Sequence, residues 1–386
     1  MSPATVDVER AGLHGVGVER AGVNSVALEV STVGLDPDWD GFVDAAPGGH
    51  HLQSSLWAQV KAREGWHPVR LLARRGDELV GGAQLLVRPT RLGAIGYCPR
   101  GPLLSGDDPA TLGALLDGLA KLARRERILY VKVQPPAGRE DMVAVLREHG
   151  FVAGDMQAAP VATVRIDLRG PVEEILASMR SATRQKIRKA TRKGIVVRAA
   201  GASGLAAFGE VLAATGRRQG FAPYPVEYYA EILRQFGDGQ RAALLLAEHE
   251  GEVLSGAVIV GFGDTVVYKM GGWSGDSTGP RPNELMHWQA MQWAKEHGYR
   301  YYDFDGISPS VARAVLAGEE LPEAGHRGPT FFKLGFGGEV ALFPCTYDRS
   351  FHRLLALPAR VAAPRLNHFQ ALAHRLQGRV AVEAGA

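Results

Sequence analysis

A chain of 386 residues exceeds the roughly 250 to 300 residues at which a single hydrophobic core stops growing, so two domains are expected. Apolar residues make up 46% and charged residues 22%, and no window approaches the roughly 18 to 20 unbroken apolar residues that cross a bilayer, which excludes an integral membrane protein. Formal net charge is only +3, so a polyanionic partner has to be held by a local patch.

From the N-terminus, MSPATVDVERAG carries acidic residues early and has no apolar run, so no secretory signal is read and a cytoplasmic protein is expected. Residues 1–26 hold two copies of VERAG among Gly, Ser and Val and read as a flexible leader. Residues 53–61 (QSSLWAQVK) read as a helix that places Trp57 and Lys61 one turn apart, so both can meet an anionic ligand or simply pack and solvate. The segment 71–83 (LLARRGDELVGGA) then matches 245–257 (LLAEHEGEVLSGA) without a gap, each reading as strand, polar turn, strand. Between them, YCPRGP (97–102) is a rigid turn able to aim Arg100 into a cleft. The helical stretch 112–125 leads into a strand at 128–134, as 284–297 leads into 299–304. Both halves thus run hairpin, further strand, helix, strand, which points to a duplicated α/β domain. The boundary is expected near 157–160, before a strand at 162–168.

Residues 184–193 (RQKIRKATRK) contain six Lys or Arg in ten positions, and Ile187 and Ala190 share one face. This reads as an amphipathic helix with Arg184, Lys186, Arg188, Lys189, Arg192 and Lys193 toward solvent, suited to a phosphate backbone or left as a solvated face. In YYDFDG (301–306), Asp303 and Asp305 alternate along a strand and are expected on opposite faces. TFFKLGFGG (330–338) surrounds Lys333 with Phe331, Phe332 and Phe336. A partly dry lysine there can stabilise developing negative charge; the alternative is a snorkelling lysine at a strand end. The tail ends in a helix at about 364–376 with Leu366, Phe369, Leu372 and Leu376 at helical spacing, expected to pack back onto a domain.

Several templates are set aside. GDSTG (275–279) matches the nucleophile-elbow spacing, but Pro280 and Pro282 follow where a helix has to start. P-loop and Rossmann glycine fingerprints are absent. Cys98 and Cys345 are too few for a disulfide framework or zinc cluster, and no metal is expected.

Taken in order, residues 53–61, 99–102, 183–190, Arg281-Pro-Asn283, 302–304 and Phe332-Lys-Leu-Gly-Phe-Gly337 resemble the FemXAB peptidyltransferases over about residues 50–350. The resemblance implies an α/β (α+β) fold of two tandem GNAT-like, acyl-CoA N-acyltransferase-like domains: 27–160, then 161–346, with 347–386 returning onto the first. It implies aminoacyl transfer from aminoacyl-tRNA to an amine of a peptide acceptor, a peptidoglycan-precursor stem peptide above all, or a small peptide or amine in antibiotic biosynthesis. Aminoacyl-tRNA is then a co-substrate and no cofactor is needed; a lipid-linked acceptor would bring peripheral membrane contact. By position, Lys61 is implied as a ligand of the acceptor's phosphate and Lys333, beside Phe332, as the residue that steadies the tetrahedral intermediate. Trp57, Arg100, Tyr224, Tyr228, Tyr268 and Asp303 are the further substrate-binding candidates, and the cations of 184–193 the tRNA-binding ones. In relatives with a nucleotide-linked acceptor an arginine precedes the tyrosine by four residues; Tyr224 holds that place here, which favours a lipid-linked or non-peptidoglycan acceptor. The helical arm of longer relatives has no room between residues 176 and 234.

Two rivals remain. An acetyl-CoA-dependent acetyltransferase needs backbone amides at a helix start to cradle a pyrophosphate, and GPRPN (279–283) has two prolines there. A non-catalytic RNA-binding module would use the basic helix alone.

Overall fold

The computed structural model describes residues 26–154, 159–275 and 281–351. The leader, most of the GDSTG stretch and the helix expected at 364–376 lie outside the described residues, and the 157–160 stretch lies partly outside them.

The strands are β1 (Ala27–Ser31), β2 (His67–Arg75), β3 (Glu78–Thr90), β4 (Gly93–Pro99), β5 (Leu103–Leu104), β6 (Ile128–Gln134), β7 (Val152–Ala153), β8 (Ala162–Asp167), β9 (Val196–Ala199), β10 (Ala242–His249), β11 (Glu252–Phe262), β12 (Thr265–Trp273), β13 (Tyr301–Asp303), β14 (Glu339–Leu342) and β15 (Tyr347–Ser350). The helices are α1 (Pro37–Ala45), α2 (Ser55–Ala62), α3 (Pro109–Arg125), α4 (Met142–Glu148), α5 (Val172–Ser178), α6 (Ser181–Arg192), α7 (Leu205–Gln219), α8 (Val226–Phe236), α9 (Asn283–Glu296), α10 (Pro309–Ala317) and α11 (Gly328–Leu334).

One sheet runs β1-β2-β3-β4-β6-β15-β7, with β5 also on β3; the other runs β14-β8-β13-β12-β11-β10-β9. Read from β1 and from β9, the two orders correspond strand for strand. The repeat seen in the sequence extends to register. Leu71 faces Ala83 across β2 and β3, and Leu245 faces Ala257 across β10 and β11. Both hairpins slip register at the equivalent place, between Ala73 and Arg74 and between Ala247 and Glu248. In each half one pair is parallel, β4 with β6 and β12 with β13. A parallel pair needs a crossover, and α3 and α9 supply it. The chain is therefore built as two tandem GNAT-like α/β domains.

β15 pairs with β6 and β7 in the first sheet, at the place β8 holds in the second. Strand alternation sends successive side chains to opposite faces. Leu71 and Ala73 join a core under α3 and α4, and Leu245 and Ala247 a core under α6 and α9. Leu72, Leu244 and Leu246 instead enter a shared central core. That core also takes Trp39 of α1, Trp57 of α2, Phe208 of α7 and Ile232 of α8. Each sheet thus contributes one face to the shared central core and the other to a core of its own.

Candidate functional site

α11 carries Lys333 in its last turn, not at a strand end. Pro329 starts this helix, Gly335 caps its end, and Gly337 and Gly338, at φ 75° and 82°, turn the chain from it toward β14. A Cβ on Gly338 would stand 2.4 Å from Ile166 of β8, so glycine lets the chain run tightly against that strand. The Lys333 ammonium donates to the carbonyls of Phe304, at 2.7 Å, and Gly306, at 2.6 Å. Its pKa is lowered by burial, against the opposing pull of Asp305 and Asp303. Tyr268 presents its ring 5.9 Å from the ammonium.

Behind Lys333, a neutral His287 is caged by aromatic rings. Its centroid lies 4.6 Å from Tyr268, 5.0 Å from Phe304, 5.4 Å from Phe332 and 5.5 Å from Phe336. Its Nδ1 shares a 2.9 Å hydrogen bond with the Tyr302 hydroxyl. Burial pushes its pKa down to about 3, with Lys333 adding to the shift. Phe332 is half-buried in this cage, so it anchors α11 against the sheet.

Asp303 ends β13, and its Oδ1 accepts from Thr163 Oγ1 at 2.6 Å and from the Asp305 amide at 2.7 Å. Burial raises its pKa, as does Asp305. The expectation of opposite faces for Asp303 and Asp305 fails. The strand stops at Asp303, and Asp305 sits in a left-handed conformation at φ 48°, so alternation no longer applies. Both carboxylates act on Lys333 and on Arg100. Lys269 of β12 approaches Asp305 at 3.4 Å and lies 4.9 Å over the Trp57 ring.

From the first domain come α2 and the turn after β4. Ser54 caps α2 by accepting from the Trp57 amide at 3.1 Å. Lys61 then pairs with Glu64 at 2.6 Å and lies 5.8 Å over Tyr228. Its pKa is lowered by burial. Tyr224 and Tyr228 stack at 4.4 Å where α8 packs on α2. Arg100, at φ 53°, is 3% exposed, donates to the Pro160 carbonyl at 2.6 Å and stacks 3.8 Å over Phe343.

The structure therefore gathers the candidates from both domains. Lys333, Tyr268, Asp303 and Arg100 form one group, and Lys61, Tyr224 and Tyr228 another. Trp57 links them through Lys269. Sequence reasoning missed Lys269, Tyr97, His287 and Glu64. A lysine inside the apolar strand TVVYKMGGW is a readable signal for the first; the others look like ordinary core or surface positions.

The cations of the basic helix stand apart, on α6. Thr183, Ile187 and Ala190 are buried against the second domain. Arg188, Lys189, Arg192 and Lys193 are exposed. Lys186 pairs with Glu284 at 2.8 Å, and the Arg184 guanidinium folds back onto the Ala177 and Met179 carbonyls, so these two are tied into the fold. The start of α6 abuts α11: the Arg180 amide donates to Gly335 O at 2.9 Å, and its guanidinium lies 4.7 Å over Phe331. Among the described residues no helix is long and apolar enough to cross a membrane, and no acidic, His or Cys cluster suits a metal.

Comparison with known proteins agrees with this architecture. Residues 36–144 match the FemAB family, and residues 177–310 match the acetyltransferase (GNAT) domain. The chain is 26% identical over 343 residues to a lipid II:glycine glycyltransferase of Staphylococcus haemolyticus, covering 69% of this chain and 82% of the relative. It is 25% identical over 345 residues to the enzyme of the same name from Staphylococcus aureus strain MRSA252, with 69% and 82% covered. The crystal structure of FemX superposes with a TM-score of 0.74 at 23% identity, over 84% of this chain and 98% of that one. A tandem GNAT protein from the clavulanic acid biosynthesis pathway superposes with a TM-score of 0.52 at 12% identity, over 84% and 99%. The stretch between residues 176 and 234, expected to leave no room for a helical arm, is taken up mainly by α6, α7 and most of α8, which pack on the second sheet, and by β9, an edge strand of that sheet. With the FemAB match in its first half, the GNAT match in its second and relatives aligned across both, this chain is similar to the FemXAB family along most of its length.

Proposed function

We propose that the protein transfers an amino acid from aminoacyl-tRNA to an amine of a peptide acceptor, a peptidoglycan-precursor stem peptide. The observation that carries the reading is the Lys333 ammonium, held by two carbonyls at the meeting of the domains and flanked by Asp303, Asp305 and Tyr268. The glycyltransferase names of the relatives support the same chemistry.

An aminoacyl ester is already activated, so no nucleophilic serine or cysteine is required. Cys98 is buried, and burial pushes its thiol up to about 12, far from a reactive thiolate. Rate then comes from positioning an unprotonated amine about 3 to 3.5 Å from the ester carbonyl. Lys333 faces the oxyanion formed as the amine attacks, and low exposure makes its charge count for more than it would in water. Asp303 and Asp305 orient the incoming amine by accepting its N–H groups. Lys61, over the stacked Tyr224 and Tyr228, holds the phosphate of a lipid-linked acceptor. The exposed cations of α6 hold the tRNA backbone; they lie toward the end of α6 remote from α11, so the charged 3′ end runs along the helix to reach Lys333.

The test is mass spectrometry of products after incubating the protein with a mixed aminoacyl-tRNA pool and either lipid II or a panel of short peptides. A mass increment of one amino-acid residue on the acceptor is expected with charged tRNA only. Acetyl-CoA serves as the competing donor, and acetyl transfer without aminoacyl transfer would reject the proposal.

A further inference from the structure

Arg100 is a buried cation whose hydrogen bonding is incomplete. Its Nη2 donates to the Pro160 carbonyl and its plane rests on Phe343, but Nε and Nη1 are buried without a partner. Three residues back, on the face of β4 that joins the central core, the Tyr97 hydroxyl is likewise buried and unpartnered. Buried polar groups are almost always satisfied, and a charged donor left unmet is especially unfavourable. The left-handed backbone at Arg100, φ 53°, holds the side chain in this place at a cost in strain. Asp305 acts on Tyr97, Arg100 and Lys333 alike, which puts the unpartnered donors beside the proposed reaction centre.

The charge balance narrows what these donors meet. Arg100, Lys269 and Lys333 bring three positive charges against Asp303 and Asp305, while Lys61 is matched by Glu64. Around Asp303 and Asp305 one positive charge is in excess, which a single monoanion beside Arg100 balances; Arg88, which acts on Lys61, is a further cation on the other side of the site.

We propose that Arg100 and Tyr97 form a carboxylate subsite that docks an acidic group of the peptide acceptor while its amine reaches Lys333. Resting on the peptide-acceptor reading above, the subsite adds a specificity: acceptors with a free carboxylate near the reacting amine are preferred over their amides. Arg100 supplies the charge and the buried N–H donors, and the Tyr97 hydroxyl donates to the same group.

The experiment is calorimetric binding of N-acetyl-Lys-Ala and its C-terminal amide to the full chain, without tRNA. A charge-assisted hydrogen bond corresponds to about 10- to 100-fold in affinity, so the wild type should bind the acid at least about 10-fold more tightly than the amide. Arg100→Met should abolish the preference. Tyr97→Phe, which removes only an unpartnered hydroxyl and leaves the fold intact, should reduce it roughly 3- to 10-fold. Equal binding of acid and amide by the wild type, or a preference that survives in both variants, would overturn the subsite. So would displacement of the peptide by inorganic phosphate at lower concentration than by acetate, which would assign the donors to a phosphate. Because binding is read without transfer, a protein that discriminates the two peptides yet never forms an adduct retains the subsite and loses the proposed function; the reverse result removes the subsite alone.

Discussion

Replacing Lys333 by alanine removes the charge proposed to face the oxyanion and also the two hydrogen bonds to Phe304 O and Gly306 O, at 2.7 and 2.6 Å. The two losses have separate magnitudes. Removing one preorganised oxyanion stabiliser costs about 100- to 1,000-fold in kcat. Losing two hydrogen bonds from a charged donor costs about 2 to 5 kcal/mol of stability, enough to shift the melting temperature while leaving the protein folded at low temperature. Single-turnover transfer, measured well below the melting temperature of the variant, separates them. Lys333→Arg keeps the charge but changes its shape, and should fall between wild type and alanine. The pH profile adds a second readout. Burial lowers the Lys333 pKa from its ordinary 10.5, so the cation is lost, and the rate with it, at a lower pH than a free lysine would allow. In the arginine variant that alkaline limb should move upward. Since the unfolded chain holds this proton more tightly than the native one, stability should rise with pH between the lowered pKa and 10.5. A folded Lys333→Ala protein with undiminished turnover would refute the assignment.

His50, His51 and His287 all have pKa values held down by burial, so native protein keeps them neutral where the unfolded chain takes up protons. Stability should therefore fall as pH drops below the ordinary 6.5, by ~1.4 kcal/mol per pH unit for each histidine and ~4 for the three together. Urea titrations from pH 7 to 4.5 measure the slope, and His287→Gln should reduce it by about a third; an unchanged slope would mean that His287 is not kept neutral. Neutralising Arg188, Lys189, Arg192 and Lys193 should flatten the salt dependence of tRNA binding by up to about 0.9 in log–log slope per lost phosphate contact, whereas Lys186→Gln, which breaks the pair with Glu284, should act mainly on stability. Equal effects of all these substitutions on the slope would argue against the division. Tyr224→Arg would replace a ring of the Tyr224–Tyr228 stack by a cation. It should improve binding of a nucleotide-linked acceptor relative to the wild type, and a loss of affinity in competition binding would contradict the reading of this position.

Legibility in the sequence varied with the range of the interactions involved. The segments 71–83 and 245–257 were readable as equivalent hairpins because strand pairing across a short turn is local, and their registers match down to the slip after Ala73 and Ala247. The basic segment was readable as an amphipathic helix because Ile187 and Ala190 recur at helical spacing. Its division into free and committed cations was not, since Glu284 lies 98 residues away. The Asp303–Asp305 alternation misled because a single left-handed residue ends the strand, and nothing in YYDFDG announces where that happens. Lys333 was readable as a lysine among aromatics, but its carbonyl partners come from the turn after β13 and the His287 behind it from α9.

The sequence by itself thus determined the two α/β units, the amphipathic α6 and the residue types from which a site is assembled, all of them consequences of periodicity over a few turns or one hairpin. Only the tertiary structure decided which charges meet. Lys61 comes from α2, Arg100 from the turn after β4, Lys269 from β12, Asp305 from the turn after β13 and Lys333 from α11, and they converge because both sheets bury a face in one central core around α1, α2, α7 and α8. The same packing brings β15 into the first sheet and leaves the Arg100 guanidinium buried with donors to spare. Such convergence is fixed by how layers stack, and no spacing along the chain encodes it locally.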